Sequence, residues 1–246
     1  MGWQFSKTLE PRAWPPLVDG IYAIILTLLV IDLPSLIFEL LQTYNLRPSG
    51  YGILAEALIT LLGGYLGVFL ILYDIWTKKR RLLEISEQYL KTSGLENFLV
   101  LLSIYLATLV PSVYHVLLSI RHEHAKSKLQ YLLPQVASIE KGEAELSALI
   151  FITAIAMIYF LIYIVAARRC RQLKHKLRGE FLAPTERSEL QGAMSGLVAL
   201  KFNTLIRICA APVFVIMHIL SVIPPLPTLC YGLSGLWNRD EKQSGH

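Results

Sequence analysis

Long apolar stretches constrain this chain more than any other feature of its sequence. A membrane-spanning helix needs about 20 predominantly apolar residues. Six stretches are candidates: 16–34, 52–76, 97–120, 146–168, 203–222 and 224–238. With 54% of residues hydrophobic and only 17% charged, a soluble core could not bury all of this apolar surface, so lipid must cover part of it. The sequence predicts an all-α integral membrane protein with six helices.

The distribution of Lys and Arg predicts the orientation of these helices. With six spans, most basic residues fall in the N-terminal segment, the second loop, the fourth loop and the tail, which all lie on one side. Cytoplasmic segments are enriched in Lys and Arg. We therefore expect a multi-pass protein of the plasma (inner) membrane with both termini in the cytoplasm. The net charge of +5 does not indicate a nucleic-acid partner, because the basic residues lie between apolar stretches and not on one amphipathic face.

The domain organisation follows from the same pattern. Residues 1–238 form a single six-span unit, and residues 239–246 form a C-terminal tail. Residues 168–201 are basic and partly amphipathic, which predicts a helix at the cytoplasmic surface. The spacing Gly63-Gly64-x-x-Gly67 favours close approach of another helix. Asp74, just before four consecutive basic residues, is interpreted as an anchor at the membrane–water interface.

The first apolar stretch carries the most informative pattern. At 100° per residue one stripe contains apolar residues and a single hydroxyl, and Asp19 points away from its centre. Around a symmetry axis, such a stripe would form a hydrophobic constriction with a ring of hydroxyl oxygens, which is one way to build a cation pore. The alternative is an ordinary lipid-facing stripe whose threonine bonds only to its own helix. The stripe consists of Gly20, Ile24, Thr27, Leu28 and Ile31.

The same stretch resembles a known family. The run Asp19-Gly20, then Ala23-Ile24, then Thr27-Leu28-Leu29-Val30-Ile31-Asp32 is similar to the first-helix signature of the transmembrane protein 175 family of lysosomal and bacterial potassium channels. That signature has an arginine, three residues, Phe-Ser-Asp-Gly, an Ala-Ile and a Thr-Leu-Leu-Val. The resemblance covers about 15 residues closely. The other spans match mainly in hydropathy and order.

The resemblance implies a function and a site. It implies a six-span unit that assembles as a homotetramer in the lipid bilayer, with its pore lined by the first helix of each subunit, and that conducts potassium ions passively. By position, Ile24 would form the hydrophobic constriction, Thr27 the selectivity-related ring and Ile31 a second aliphatic layer, with Leu28 on the same stripe. Arg12 and Asp19 would belong to the polar network of the first helix.

The chain also departs from the family signature. Leu17-Val18 stands where the family has Phe-Ser, and Arg12 lies one residue farther from Asp19 than in the family pattern. A non-conducting membrane scaffold or accessory protein with the same fold therefore stays open as the alternative function.

No motif in the sequence favours an enzyme, a metal site or a cofactor. There is no HExxH and no phosphate-binding loop ending in Lys-Ser/Thr. The three cysteines are widely spaced without CxxC. His115, within the third span, is interpreted as a buried structural histidine. His122 and His124 alone are weak evidence for a metal site, because a third nearby ligand is missing. We expect a protein that is not an enzyme, that needs no cofactor, and whose small-molecule partner is the permeant potassium ion.

Overall fold

The computed structural model describes residues 14–44, 51–90, 94, 96–111, 136–179, 183–220 and 225–237. Within these ranges regular structure is entirely helical, which confirms the predicted all-α class. The helices are α1 (Trp14–Tyr44), α2 (Tyr51–Tyr89), α3 (Glu96–Pro111), α4 (Val136–Gly179), α5 (Pro184–Leu220) and α6 (Pro225–Trp237).

Among the described residues, four helices are long and apolar enough to cross a membrane. Their apolar windows are Pro16–Phe38, Leu61–Ser86, Leu149–Arg178 and Pro184–Met217. Helix α3 is a shorter apolar helix over its described length, and residues 112–120 of the predicted third span lie outside the described residues. Helix α6 has 13 residues, about 20 Å of helix against about 30 Å of hydrocarbon. The count of six complete spans therefore stays a prediction.

Four helices extend beyond the expected spans: α1, α2, α4 and α5. Helix α1 continues through Pro34 to Tyr44, and α5 begins at Pro184 and continues through Pro212. A proline inside a helix removes one backbone donor, which membrane helices tolerate when neighbouring groups compensate. Within the basic segment 168–201, residues 168–179 form the end of α4 and residues 184–201 the first half of α5. These described parts are helical as predicted, in two helices and not one. Its position at the cytoplasmic surface stays a prediction.

Helix α2 is the centre of the packing. It has its most extensive contacts with α6 and α1 and also meets α4 and α5, which pair with each other. Four apolar side chains of α2 have no exposed surface: Val68, Ile71, Leu72 and Ile75.

Glycines bring α6 close to α2. A Cβ placed on Gly67 would lie 2.8 Å from the backbone of Thr228 and Leu229, and one on Gly232 would lie 2.9 Å from the Gly67 carbonyl oxygen. The close approach predicted from the glycine spacing is therefore present at Gly67, and its partner is α6.

Candidate functional site on the first helix

Helix α1 has two opposite faces. The inner face packs on α2 through a stripe at i, i+4, i+7 and i+11, and all four of its side chains are buried: Val18, Tyr22, Ile25 and Leu29. At 100° per residue, the residues of the sequence-derived stripe centre on the opposite side of the helix. We call Gly20, Ile24, Thr27, Leu28 and Ile31 the α1 outer face.

The α1 outer face is open in the single chain. Ile24 is 61% exposed, Leu28 55% and Ile31 60%. No atom outside the helix comes within 4 Å of a Cβ placed on Gly20. An apolar stripe this exposed must contact something other than its own subunit, which is either lipid or another copy of the chain.

The Thr27 hydroxyl donates to the carbonyl oxygen of Ala23, with an Oγ1–O distance of 2.7 Å. This is the local helix bond considered as the alternative at the sequence level. A hydroxyl has one donor and two acceptor lone pairs. The bond therefore uses the proton and leaves the lone pairs available to a cation on the outer face, so the local bond and an ion-facing role are compatible.

Asp19 joins α1 to α2 near the helix start. Its Oδ1 accepts a hydrogen bond from the Trp76 indole Nε1 at 2.7 Å, and its Oδ2 lies 3.7 Å from the Arg80 guanidinium. Arg80 also stacks over the Trp76 ring, with its Cζ 5.8 Å from the ring centroid, and donates to Glu84 at 2.9 Å. Arg12, the expected partner of Asp19, lies outside the described residues. Two α2 side chains thus hold the carboxylate of Asp19.

Tyr22 makes the second polar contact of the inner face. The Lys79 ammonium lies 5.5 Å from the Tyr22 ring centroid and donates to the carbonyl oxygen of Val100 at 3.2 Å. Lys79 is buried, so one cation of α2 is enclosed between α1 and α3. Val18 stands where the similar first-helix signature has a serine. Its side chain is fully buried and packs in the apolar core.

A second group of polar side chains lies inside the bundle and joins three helices, α2, α4 and α5. Asp74 of α2 is buried; it pairs with Lys78, accepts from the Tyr159 hydroxyl of α4 at 2.7 Å and lies 3.4 Å from the Arg207 guanidinium of α5. We call Asp74, Lys78, Tyr159 and Arg207 the ionic cluster.

Arg207 connects the ionic cluster to α6. Its Nη1 donates to the Tyr231 carbonyl oxygen and, at 2.5 Å, to the Ser234 hydroxyl. Its guanidinium lies 4.8 Å from the Tyr231 ring centroid, and the Tyr231 hydroxyl donates back to the Arg207 carbonyl oxygen at 3.0 Å. Gly235 leaves room for the guanidinium, since a Cβ there would overlap it.

The ionic cluster corrects one sequence-based interpretation. Asp74 was expected to be an anchor at the membrane surface. Its side chain is instead buried against α4 and α5, where it lies beside the Arg207 guanidinium. A buried arginine of this kind needs a counter-ion. One sequence signal could have predicted this pair: Asp74 and Arg207 are charged residues that lie inside two different apolar stretches, where a charge needs a partner. The contacts of Asp19 with Trp76 and Arg80 could not be predicted, because nothing in the sequence specifies the register of α1 on α2.

No metal or cofactor site is assigned. In the described ranges no three His, Cys, Asp or Glu side chains come together as metal ligands. His115, His122 and His124 lie outside those ranges.

Comparison with known proteins identifies the N-terminal part of the chain. Residues 16–111 match the model of the family described as endosomal/lysosomal potassium channel TMEM175. Neither curated proteins nor solved structures give a match. The match covers α1, α2 and the described part of α3, and confirms the resemblance inferred from the first helix. The family that this part of the chain resembles is described as an ion channel, not as an enzyme.

Proposed function

We propose, from the premise that residues 16–111 carry the sequence of the TMEM175 potassium-channel family, that this protein is a potassium-selective channel. Four copies would place their α1 outer faces around a common axis. The observation that carries the proposal is the position of four residues of the family signature: Ile24, Thr27, Leu28 and Ile31 lie on the exposed face of α1, away from the α2 contact. A face buried against its own subunit could not line a pore.

Conduction would be passive and would proceed by partial dehydration. Rings of Ile24, Leu28 and Ile31 side chains form a hydrophobic constriction that gates by wetting and dewetting. Four Thr27 hydroxyl oxygens replace part of the water lost by the ion, because their lone pairs stay free beside the local helix bond. The chain needs no prosthetic group for this mechanism.

The contacts of the inner face support a fixed orientation of α1. Asp19 is held by Trp76 and Arg80, and Tyr22 lies against Lys79. These contacts fix the rotation of α1 about its own axis. A fixed rotation is required if the same side chains of every subunit are to face the pore. We place the channel in the plasma (inner) membrane with both termini in the cytoplasm, as the distribution of basic residues favours.

Potassium flux into liposomes tests the proposal. Purified protein should carry potassium in excess of empty liposomes. Ile24→Asn should raise the flux, because a polar ring wets more readily than an aliphatic one. Ile216→Asn is the matched control: Ile216 on α5 is similarly exposed but lies outside α1, so its flux should equal that of the wild type.

The alternative is a non-conducting scaffold with the same fold. The burial of Val18, where the family has serine, favours it because one polar residue of the family network is lost to the core. Flux equal to empty liposomes from correctly assembled protein would support the scaffold. A monomeric mass in detergent would also remove the channel proposal, since one α1 cannot enclose a pore.

A further inference from the structure

One face of α4 changes character along its length. In the apolar half of the helix this face is exposed and hydrophobic, with Leu149, Met157 and Phe160 pointing away from the bundle. The opposite face is buried and includes Ile155, Ile158 and Ile162. Since the exposed face lies within a candidate membrane span, it is suited to contact lipid chains.

Beyond Ala167 the same face becomes basic. At 100° per residue, five basic residues fall within an arc of about 120° that continues the lipid-facing arc. Leu173 continues the buried face, and Arg169 lies there too, paired with Glu96 of α3 at 2.7 Å. We call the five residues the α4 basic stripe: Arg168, Arg171, Lys174, His175 and Arg178.

The length of the apolar part fixes the depth of the basic stripe. From Leu149 to Ala167 the helix rises about 28 Å, close to the hydrocarbon thickness of about 30 Å. Arg168 and Arg171 then lie at the level of the lipid headgroups, and the next two turns extend just past them. Long basic side chains in this position reach back to the headgroup layer.

The basic stripe has few acidic neighbours in the described part of the chain. Arg168 lies 3.9 Å from Glu96, which is mainly the partner of Arg169. Among the described residues no carboxylate comes within 4.0 Å of the Arg171, Lys174 or Arg178 cation. Glu186 and Glu189 lie at the start of α5, on the other arm of the hairpin. The stripe thus presents positive charge on the side of α4 that continues its lipid-facing surface.

We propose that the α4 basic stripe binds the anionic headgroups of phospholipids in the leaflet at that end of α4. The phosphate of such a lipid pairs with guanidinium groups through charge-assisted hydrogen bonds, while its acyl chains lie along the apolar exposed face of the same helix. A juxtamembrane cluster of this size attracts anionic lipid within a Debye length. This inference is independent of ion conduction.

Lipid binding by purified protein tests the proposal. Detergent-solubilised protein is titrated with phosphatidylglycerol or phosphatidylcholine, and bound lipids are counted by native mass spectrometry. We expect phosphatidylglycerol to bind in preference to phosphatidylcholine. The triple variant Arg171→Gln, Lys174→Gln, Arg178→Gln should lower the phosphatidylglycerol affinity by at least about tenfold.

Two control variants separate the stripe from net charge and from folding. The triple variant Lys126→Gln, Lys128→Gln, Lys141→Gln removes equal charge from the side of the membrane that the sequence places opposite, and should keep wild-type binding. The variant Arg171→Lys, Arg178→Lys keeps the charge and should retain most of the affinity.

Several outcomes would overturn the proposal. Equal loss in both triple variants would mean a net-charge effect, and no loss in either would mean that the stripe does not contact lipid. Displacement of the lipid by millimolar inorganic phosphate would identify a site for a soluble anion. A change of oligomeric mass without a change in lipid count would show that the stripe contacts another copy of the chain.

Discussion

The α1 outer face and the ionic cluster place polar and apolar groups in opposite ways. The outer face exposes aliphatic side chains and one hydroxyl that bonds to its own helix. The ionic cluster buries charged and hydroxyl groups that bond between four helices. An exposed apolar face adds nothing to the stability of a single subunit. Removing one partner of a buried ion pair, in contrast, is strongly destabilising. The first region is therefore free to serve function, and the second holds the helices in place.

Substitution of Asp74 should have the largest effect on stability. Asp74→Ala leaves the Arg207 guanidinium buried without its carboxylate, which typically costs about 3–5 kcal/mol. We expect a large drop in the thermal midpoint in detergent. Glu84→Ala is the control, because it breaks an exposed pair with Arg80 and should leave the midpoint unchanged.

A double variant tests whether the loss of stability comes from the unpaired charge. Asp74→Leu combined with Arg207→Met removes both charges, and replacing a buried pair by apolar residues is often neutral. The double variant should therefore be more stable than Asp74→Ala. Equal destabilisation of the two would contradict the ion-pair account and point to the hydrogen bonds of Tyr159 and Ser234.

The α2–α6 contact should respond with an intermediate effect. Gly67→Ala puts a methyl group 2.8 Å from the backbone of α6, and overpacking of this kind costs about 1–3 kcal/mol. Gly192→Ala is the matched control, since nothing lies within 4 Å of its Cβ and alanine favours a helix by about 0.5–1 kcal/mol. A midpoint lowered by Gly67→Ala and not by Gly192→Ala is the expected result. An unchanged or raised midpoint for Gly67→Ala would show that α6 does not pack closely on α2 at this point.

The sequence predicts much of this fold because its strongest signals are local. Apolar length predicted the helices, and 3.6-residue periodicity separated the faces of α1, since both depend only on neighbouring residues. The glycine spacing predicted a close approach at Gly67 for the same reason. None of these patterns specifies which helix comes close, and so α6 could not be named as the partner.

Contacts between distant residues could not be predicted in the same way. Asp74 and Arg207 are separated by more than 130 positions, and their pairing depends on how α5 rotates against α2. From sequence alone, a tryptophan beside a basic cluster is typical of the aromatic belt at the membrane interface, and this pattern does not predict a contact of Trp76 with α1. The structure instead directs its N–H to Asp19. Register between helices decides both contacts.

The Thr27 hydroxyl should have the smallest effect on stability and a specific effect on function. Thr27→Val keeps the shape of the side chain and removes the oxygen, so the proposed potassium preference over sodium should fall. The free energy of unfolding should change by no more than about 0.5 kcal/mol. Thr27→Ser retains the oxygen and should retain the preference. Thr108 on α3 is the matched control because its exposed hydroxyl also bonds to its own helix, at 2.6 Å. If Thr108→Val changed selectivity as much as Thr27→Val, the effect would not be specific to the α1 outer face. The proposal that Thr27 discriminates between ions would then be wrong.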